Sequence, residues 1–149
     1  MGMNGQSNFQ KLIKIKESEK NQILAEYQSS VSDFETVAEQ LYTFMKKKED
    51  LEFEQQQKLS LGLSIYEMRH QQSFITNLDH TISYYQKLVM KARNKMQYVQ
   101  EKLLEKNIEV KKYETIQEKR HKAFLDSIQV FETKFLDEIS IQQYINRGN

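Results

Sequence analysis

Residues 64–113 read SIYEMRHQQSFITNLDHTISYYQKLVMKARNKMQYVQEKLLEKNIEVKKY. From Ile75 onward, positions three or four residues apart are apolar, with a single lysine among them. These positions are Ile75, Leu78, Ile82, Tyr85, Val89, Ala92, Met96, Val99, Leu103, Lys106, Val110 and Tyr113. A stripe that repeats every seven residues stays turned toward a partner helix only if the two helices wrap around each other. The stretch therefore predicts a coiled-coil seam.

The composition indicates long helices with a thin core. The chain of 149 residues has no Pro, Cys or Trp, and three of its four Gly lie near the ends. Charged residues make up 29% and the mean hydropathy is −0.77, which is too polar for a thick globular core. The aromatic content of 11% and the sustained heptads argue against disorder. A net charge of +1 gives no sign of nucleic-acid binding.

The sequence offers no residues for catalysis or for a cofactor. It has no Gly-rich phosphate loop and no nucleophile elbow, and the lack of Cys excludes disulfides and thiol chemistry. His70, His80 and His121 are too scattered for one metal site, and E-x-x-H occurs once, at Glu67–His70. We expect a cytoplasmic protein that is not an enzyme, with no membrane span and no cleaved signal.

A first helix is predicted from about residue 8 to residue 59, after a loose tail of residues 1–7. Its predicted seam consists of Leu24, Tyr27, Val31, Phe34, Ala38, Leu41 and Met45. A side row, made of Ile23, Val37, Phe44 and Leu51, widens the apolar face. This row is interpreted either as a partly exposed flank or as a face for a partner. Polar residues continue the seam at both ends, where they weaken pairing but fix the register.

A turn is predicted at residues 60–64. Gly62 can adopt the left-handed conformation that ends a helix, and Ser64 with Glu67 matches the capping box that begins one. A second helix then runs from about residue 65 to residue 145. The predicted fold is all-α: a single domain, residues 1–149, formed by an antiparallel two-stranded coiled-coil hairpin. In this hairpin, residue i lies near residue 124 − i.

The end of the second helix is predicted to overhang. The first helix runs out opposite Ile116, and the seam changes phase between Tyr113 and Phe124. The new apolar face has no partner in the hairpin, and it consists of Phe124, Leu125, Ile128, Phe131, Phe135, Leu136 and Ile139. An unpaired stripe of this size predicts a binding partner or self-association, unless it folds back on the hairpin.

Several short segments, in order along nearly the whole chain, resemble the FliJ family of flagellar export proteins in its Gram-positive form. They are Phe9-Gln10-Lys11-Leu12, Glu67-Met68-Arg69-His70, Phe74-Ile75-Thr76-Asn77-Leu78-Asp79, Tyr85-Gln86-Lys87-Leu88 and Lys106-Asn107-Ile108-Glu109-Val110-Lys111-Lys112. The resemblance implies an antiparallel coiled coil similar to the central stalk of rotary ATP synthases. It also implies a non-enzymatic adaptor in flagellum biogenesis, protein transport and motility.

The resemblance further implies partners. These are the hexameric export ATPase FliI, the export gate protein FlhA at the cytoplasmic face of the membrane, and export chaperones. The family's gate-binding positions, a pattern of Phe, Leu, Ala and His, fall on Phe74, Leu78, Thr81 and Tyr85. Thr81 and Tyr85 depart from the family's residue types. Leu78 and Tyr85 also lie on the predicted seam, so ordinary core packing is an alternative for both.

The resemblance also implies that the terminal end of the hairpin enters the ATPase ring. The expected contact residues are Phe9, Lys11, Leu12, Ile13, Lys14, Phe124, Ile128, Phe131, Phe135 and Ile139. A different class of function explains the same heptads and the same spare stripe. It is a homo-oligomeric structural coiled coil with no ATPase partner, which predicts dimers or filaments formed through residues 120–145.

Overall fold

The computed structural model describes residues 2–62 and 64–148, and side chains from residue 8 onward within those ranges. They form two helices, α1 (Gly2–Leu61) and α2 (Ile65–Arg147). The two helices pack side by side in antiparallel directions, which confirms the all-α coiled-coil hairpin. Among the described residues, neither helix contains a segment long and apolar enough to cross a membrane.

Helix α1 begins earlier than predicted. Residues 2–7 are helical rather than a loose tail, and Met1 lies outside the described residues. The physical reason is that extending an existing helix adds one hydrogen bond for each residue fixed, whereas only nucleation is costly. No Pro stops the extension. The other helix ends agree with the predicted ones within two residues.

The turn between the helices depends on Gly62 and Ser64. Gly62 has a φ of +84°, in the left-handed region that residues with a Cβ rarely adopt. Its backbone N–H donates to the carbonyl oxygen of Leu59. Ser64 accepts a hydrogen bond at its Oγ from the backbone N–H of Glu67 (3.2 Å), as an N-cap does. The predicted boundary is thus formed as expected, although Leu63 lies outside the described residues.

Contacts divide the chain into two compact units. One is Asn21–Leu104, and the other combines Met1–Lys20 with Glu105–Asn149. The prediction of a single domain stays a prediction.

In the unit Asn21–Leu104, the α2 seam lies where the sequence placed it. Ile75, Leu78, Ile82 and Val99 are buried, and Val99 has only 1% of its surface exposed. Phe44 stacks on Tyr85 with ring centroids 5.1 Å apart. Lys48 forms an ion pair with Asp79. These pairs confirm the antiparallel register to within a few residues of the predicted rule.

The α1 seam differs from the predicted one at every second position. The observed heptad row of buried and half-buried residues is Ile23, Tyr27, Ser30, Phe34, Val37, Leu41, Phe44, Lys48 and Leu51. The side row is therefore the seam itself, while Leu24 and Met45, predicted in the seam, are exposed. The physical reason is that placing the side row in the seam buries the Phe44 ring against Tyr85. Ser30 fits because its Oγ donates to the Tyr27 carbonyl oxygen (2.7 Å).

The unit that combines Met1–Lys20 with Glu105–Asn149 is a second, shorter stretch of paired helices. Ile13 and Val110 are buried, and Phe9 meets Tyr113 edge to face with centroids 6.0 Å apart. From residue 121 to residue 138 of α2, every residue is exposed. Nothing in the described part of the chain covers this segment, which confirms the predicted C-terminal overhang.

Candidate functional site

An exposed apolar stripe runs along the overhang. It consists of Phe124, Ile128, Phe131, Phe135 and Ile139, and we call it the terminal stripe. The first four are exposed and Phe131 shows 70% of its surface, whereas Ile139 is half-buried. The rings of Phe131 and Phe135 stack with centroids 6.5 Å apart, because residues four apart share one face of a helix. Such a surface favours a partner that removes it from water.

The stripe occupies one side of α2 only. At about 100° per residue, its five members fall within roughly a quarter turn of the helix. Val130 is also exposed but lies on the opposite side, outside the stripe. Leu125 and Leu136 are also exposed, and they widen the apolar face along one flank of the stripe.

The predicted ring-contact residues of α1 divide into two kinds. Ile13 is buried and Leu12 is half-buried, so both have packing roles in their unit. Lys11 and Lys14 are exposed and can meet a partner. Phe9 is half-buried, and the Arg120 guanidinium lies 4.8 Å from its ring centroid as a cation–π contact. Phe9 therefore anchors α1 where the exposed segment of α2 begins.

Four charged residues cross-link the helices in the same unit. The Lys16 ammonium lies 2.8 Å from a Glu109 carboxylate oxygen, and Lys106 lies 2.7 Å from Glu19 and 3.2 Å from Glu109. The hydrogen bond to Glu109 raises the pKa of Lys16, and the hydrogen bond to Glu19 raises the pKa of Lys106. In turn, the hydrogen bond from Lys106 lowers the pKa of Glu19, and the hydrogen bond from Lys16 lowers the pKa of Glu109. Polar groups at seam positions fix the register of a coiled coil.

A small hollow surrounds Phe74 in the unit Asn21–Leu104. Its volume is about 250 Å³ and it is lined by Leu51, His70, Gln71, Phe74 and Ile75; we call it the Phe74 hollow. Phe74 shows 45% of its surface, and the Lys47 ammonium lies 5.6 Å from its ring centroid. The side-chain oxygen of Gln71 is buried, and none of the described residues donates a hydrogen bond to it. The hollow thus combines an accessible ring, a cation and an unsatisfied acceptor.

The other three predicted gate-binding residues are less accessible. Leu78 has 6% of its surface exposed and packs in the seam. Tyr85 is half-buried against Phe44 and also meets the edge of Tyr84. Thr81 is half-buried, with its hydroxyl donating to the Asn77 carbonyl oxygen (3.2 Å). The structure brings these residues near one flank of α2, but only Phe74 is strongly exposed.

Sequence reasoning missed the partners of both sites. Lys47 and Leu51 of α1 could not be expected beside Phe74, because their place depends on how α1 packs against α2. Gln71 lies three residues before Phe74 on α2, so the helical period is a signal that could have placed it there. The charged cluster had one available signal, since Lys106 stands in an otherwise apolar seam and requires a counter-charge. Its partner Glu19 is distant in sequence, so no local pattern could identify it.

The comparisons with known proteins agree with one another. A family model described as "Flagellar FliJ protein" matches residues 5–149. The Flagellar FliJ protein of Bacillus subtilis (strain 168) is 54% identical over 144 residues, which cover 97% of this chain and 98% of that protein. No solved structure matches. Because the similarity extends over nearly the full length of both proteins, this chain belongs to the FliJ family of flagellar proteins.

Proposed function

We propose that the chain is a non-enzymatic adaptor of the flagellar protein export apparatus. In this role it links the export ATPase, FliI, to the export gate protein, FlhA, and so couples ATP hydrolysis to export. Membership of a flagellar family supports the setting. The observation that carries the proposal is the terminal stripe, since a soluble helix with this exposed face favours a partner that covers it.

The terminal stripe is the proposed contact with the ATPase ring. A ring of subunits can surround a single helix and bury its apolar face, which one neighbouring helix of this chain does not do. The exposed Lys11 and Lys14 lie in the same unit and add positive charge to the proposed contact. Ile13 is buried between the helices, so in this proposal it packs behind the contact surface.

The Phe74 hollow is the proposed contact with the export gate. Aromatic side chains at the centre of a partly apolar hollow are typical anchors of protein–protein interfaces. Leu78, Thr81 and Tyr85 do not line the hollow; they follow Phe74 along the same side of α2, which the proposed contact includes. In this proposal the protein works in the cytoplasm, peripherally at the membrane export apparatus, and it also escorts export chaperones.

The test is ATP hydrolysis by the purified export ATPase, titrated with the full-length chain. We expect stimulation, and we expect Phe131→Ser to weaken it by about tenfold or more in the concentration required, since it removes a central aromatic contact. Val130→Ser is the matched control, because Val130 is exposed on the neighbouring position but on the opposite side of the helix. The control should behave as the unaltered chain does.

An absence of stimulation by the unaltered chain would contradict the adaptor role. If Phe131→Ser and Val130→Ser instead have equal effects, the terminal stripe is not the contact with the ring. If stimulation is absent and the chain forms stable dimers or filaments in sedimentation, the structural coiled coil without an ATPase partner becomes the better account.

A further inference from the structure

The four exposed members of the terminal stripe, which leave out the half-buried Ile139, have a spacing that reads the same in both directions. Phe124, Ile128, Phe131 and Phe135 are separated by four, three and four residues. A surface that meets its own copy across a twofold axis must be self-complementary, with residue i contacting j and j contacting i. We propose that, in the free protein, the terminal stripe pairs with the same stripe of a second copy, in antiparallel orientation and centred between Gln129 and Val130.

This register places apolar residues opposite one another in every layer. Phe124 meets Phe135 of the second copy, and Ile128 meets Phe131 of the second copy. The twofold axis repeats both contacts, so the interface has four layers. All four side chains are exposed in the isolated chain, so no internal packing has to be broken to form the layers. The alternation of three and four is the spacing that antiparallel coiled-coil layers require.

The charges of the segment select the antiparallel direction. Residues 118–126 carry Lys119, Arg120 and Lys122 against two acids, Glu118 and Asp126. The last part of the segment carries Glu132, Asp137 and Glu138 against one base, Lys134. Antiparallel pairing sets the basic part of each copy beside the acidic part of the other, whereas parallel pairing sets like charges side by side. Complementary charges of this kind fix orientation more than they add affinity.

The interface is short, and the pair is correspondingly weak. Phe9 of the same chain already contacts Arg120, which limits pairing on the N-terminal side. The four layers from Phe124 to Phe135 extend over about 18 Å of helix at 1.5 Å per residue. Interfaces well below the standard size belong to transient complexes. We therefore infer a reversible pair that hides the stripe until another partner takes it, which goes beyond the proposed function and does not depend on it.

Sedimentation equilibrium of the full-length chain alone tests the pair. We expect a concentration-dependent monomer–dimer equilibrium. Phe131→Glu should weaken the pair by about tenfold or more, because the twofold axis places one new carboxylate in each of two layers. Val130→Glu, next to it but on the opposite side of the helix, should leave the dissociation constant nearly unchanged. The ATPase is absent from this measurement, so its outcome is independent of the adaptor role.

Single-cysteine variants test the direction, since the chain has no Cys of its own. Ser127 and Lys134 lie beside the layers, and the proposed register brings Ser127 of one copy close to Lys134 of the other. Under mild oxidation, a mixture of Ser127→Cys and Lys134→Cys should form mixed disulfide dimers. Each variant alone should form few.

Two results would overturn the proposal. One is a chain that sediments as a monomer at every concentration. The other is cross-linking of each cysteine variant with itself in preference to the mixture, which would mean a parallel pair or a different register.

Discussion

Phe74 is the residue at which packing and recognition are most easily separated. Its ring lies beside the seam and retains 45% exposure, next to the Lys47 ammonium. Removing a ring that is partly in water costs less folding energy than removing one from a core, because less area is withdrawn from solvent. At the centre of an interface, the same ring becomes an anchor. A truncation there should therefore affect binding more than stability.

We expect Phe74→Ala to weaken binding to the cytoplasmic domain of FlhA by about tenfold, as interface anchors typically do. Thermal unfolding followed by circular dichroism should change little. Tyr98→Ala is the matched control, since Tyr98 is an exposed aromatic residue of the same helix and lies outside the hollow. A large drop in melting temperature for Phe74→Ala alone would reassign Phe74 to the core and remove the gate contact.

Single residues also explain why α2 could be predicted more accurately than α1. The α2 seam is apolar at nearly every position, so its phase is unambiguous in the sequence. In α1, Ser30 occupies a seam position, while the apolar Val31 stands beside it. A prediction based on hydrophobicity alone therefore assigns Val31 to the seam in place of Ser30. Only the packing of α1 against α2 decides the phase, because Ser30 satisfies its hydroxyl locally and fits a narrow seam.

At the scale of the elements, the boundary between α1 and α2 depends on backbone conformation and not on packing. Gly62 has a φ of +84°, and a Cβ built there meets no atom within 4 Å. A substitution is therefore strained only through its backbone. Substitutions at Gly62 thus measure the cost of the left-handed conformation without a steric clash, which is rarely possible at a buried turn.

We expect Gly62→Ala to reduce the free energy of unfolding by roughly 1–2 kcal/mol, the cost of a left-handed conformation for a residue with a Cβ. Gly62→Asn should cost less, because Asn tolerates this conformation through its short polar side chain. Urea unfolding at equilibrium measures both. Equal losses for the two variants would show that the turn does not require the left-handed conformation in solution.

The overhang shows how far sequence reasoning reaches at this scale. The change of apolar phase between Tyr113 and Phe124 predicted where α2 loses its partner, and residues 121–138 are indeed exposed. The phase change is a local property of α2 and is visible in its sequence. The Phe74 hollow was not visible, because it combines Leu51 of α1 with Gln71 and Phe74 of α2. Such sites require the register between helices as well as the periodicity within each.

At the scale of the whole molecule, the described ion pairs link stability to pH at both ends of the scale. Glu19 and Glu109 have pKa values below the ordinary 4.5, so their stabilising effect is present above that pH. It is lost as the pH falls through their folded-state pKa values. Lys16, Lys48 and Lys106 have pKa values above the ordinary 10.5, and their contribution is lost as the pH rises through those values.

We expect the free energy of unfolding to be largest on a plateau between these limits and to fall in acid below pH 4.5 and in alkali above pH 10.5. Urea unfolding across a pH series measures this dependence. Glu109→Gln should flatten the acid side, because it removes one of the two carboxylates that the lysines hold ionised. The ion pairs are partly exposed, so the effect is modest and shrinks with added salt.

Glu105→Gln, a change at an exposed glutamate of the same helix, is the matched control. If both variants flatten the acid side equally, general charge repulsion and not the cluster around Lys106 sets the acid stability of this protein.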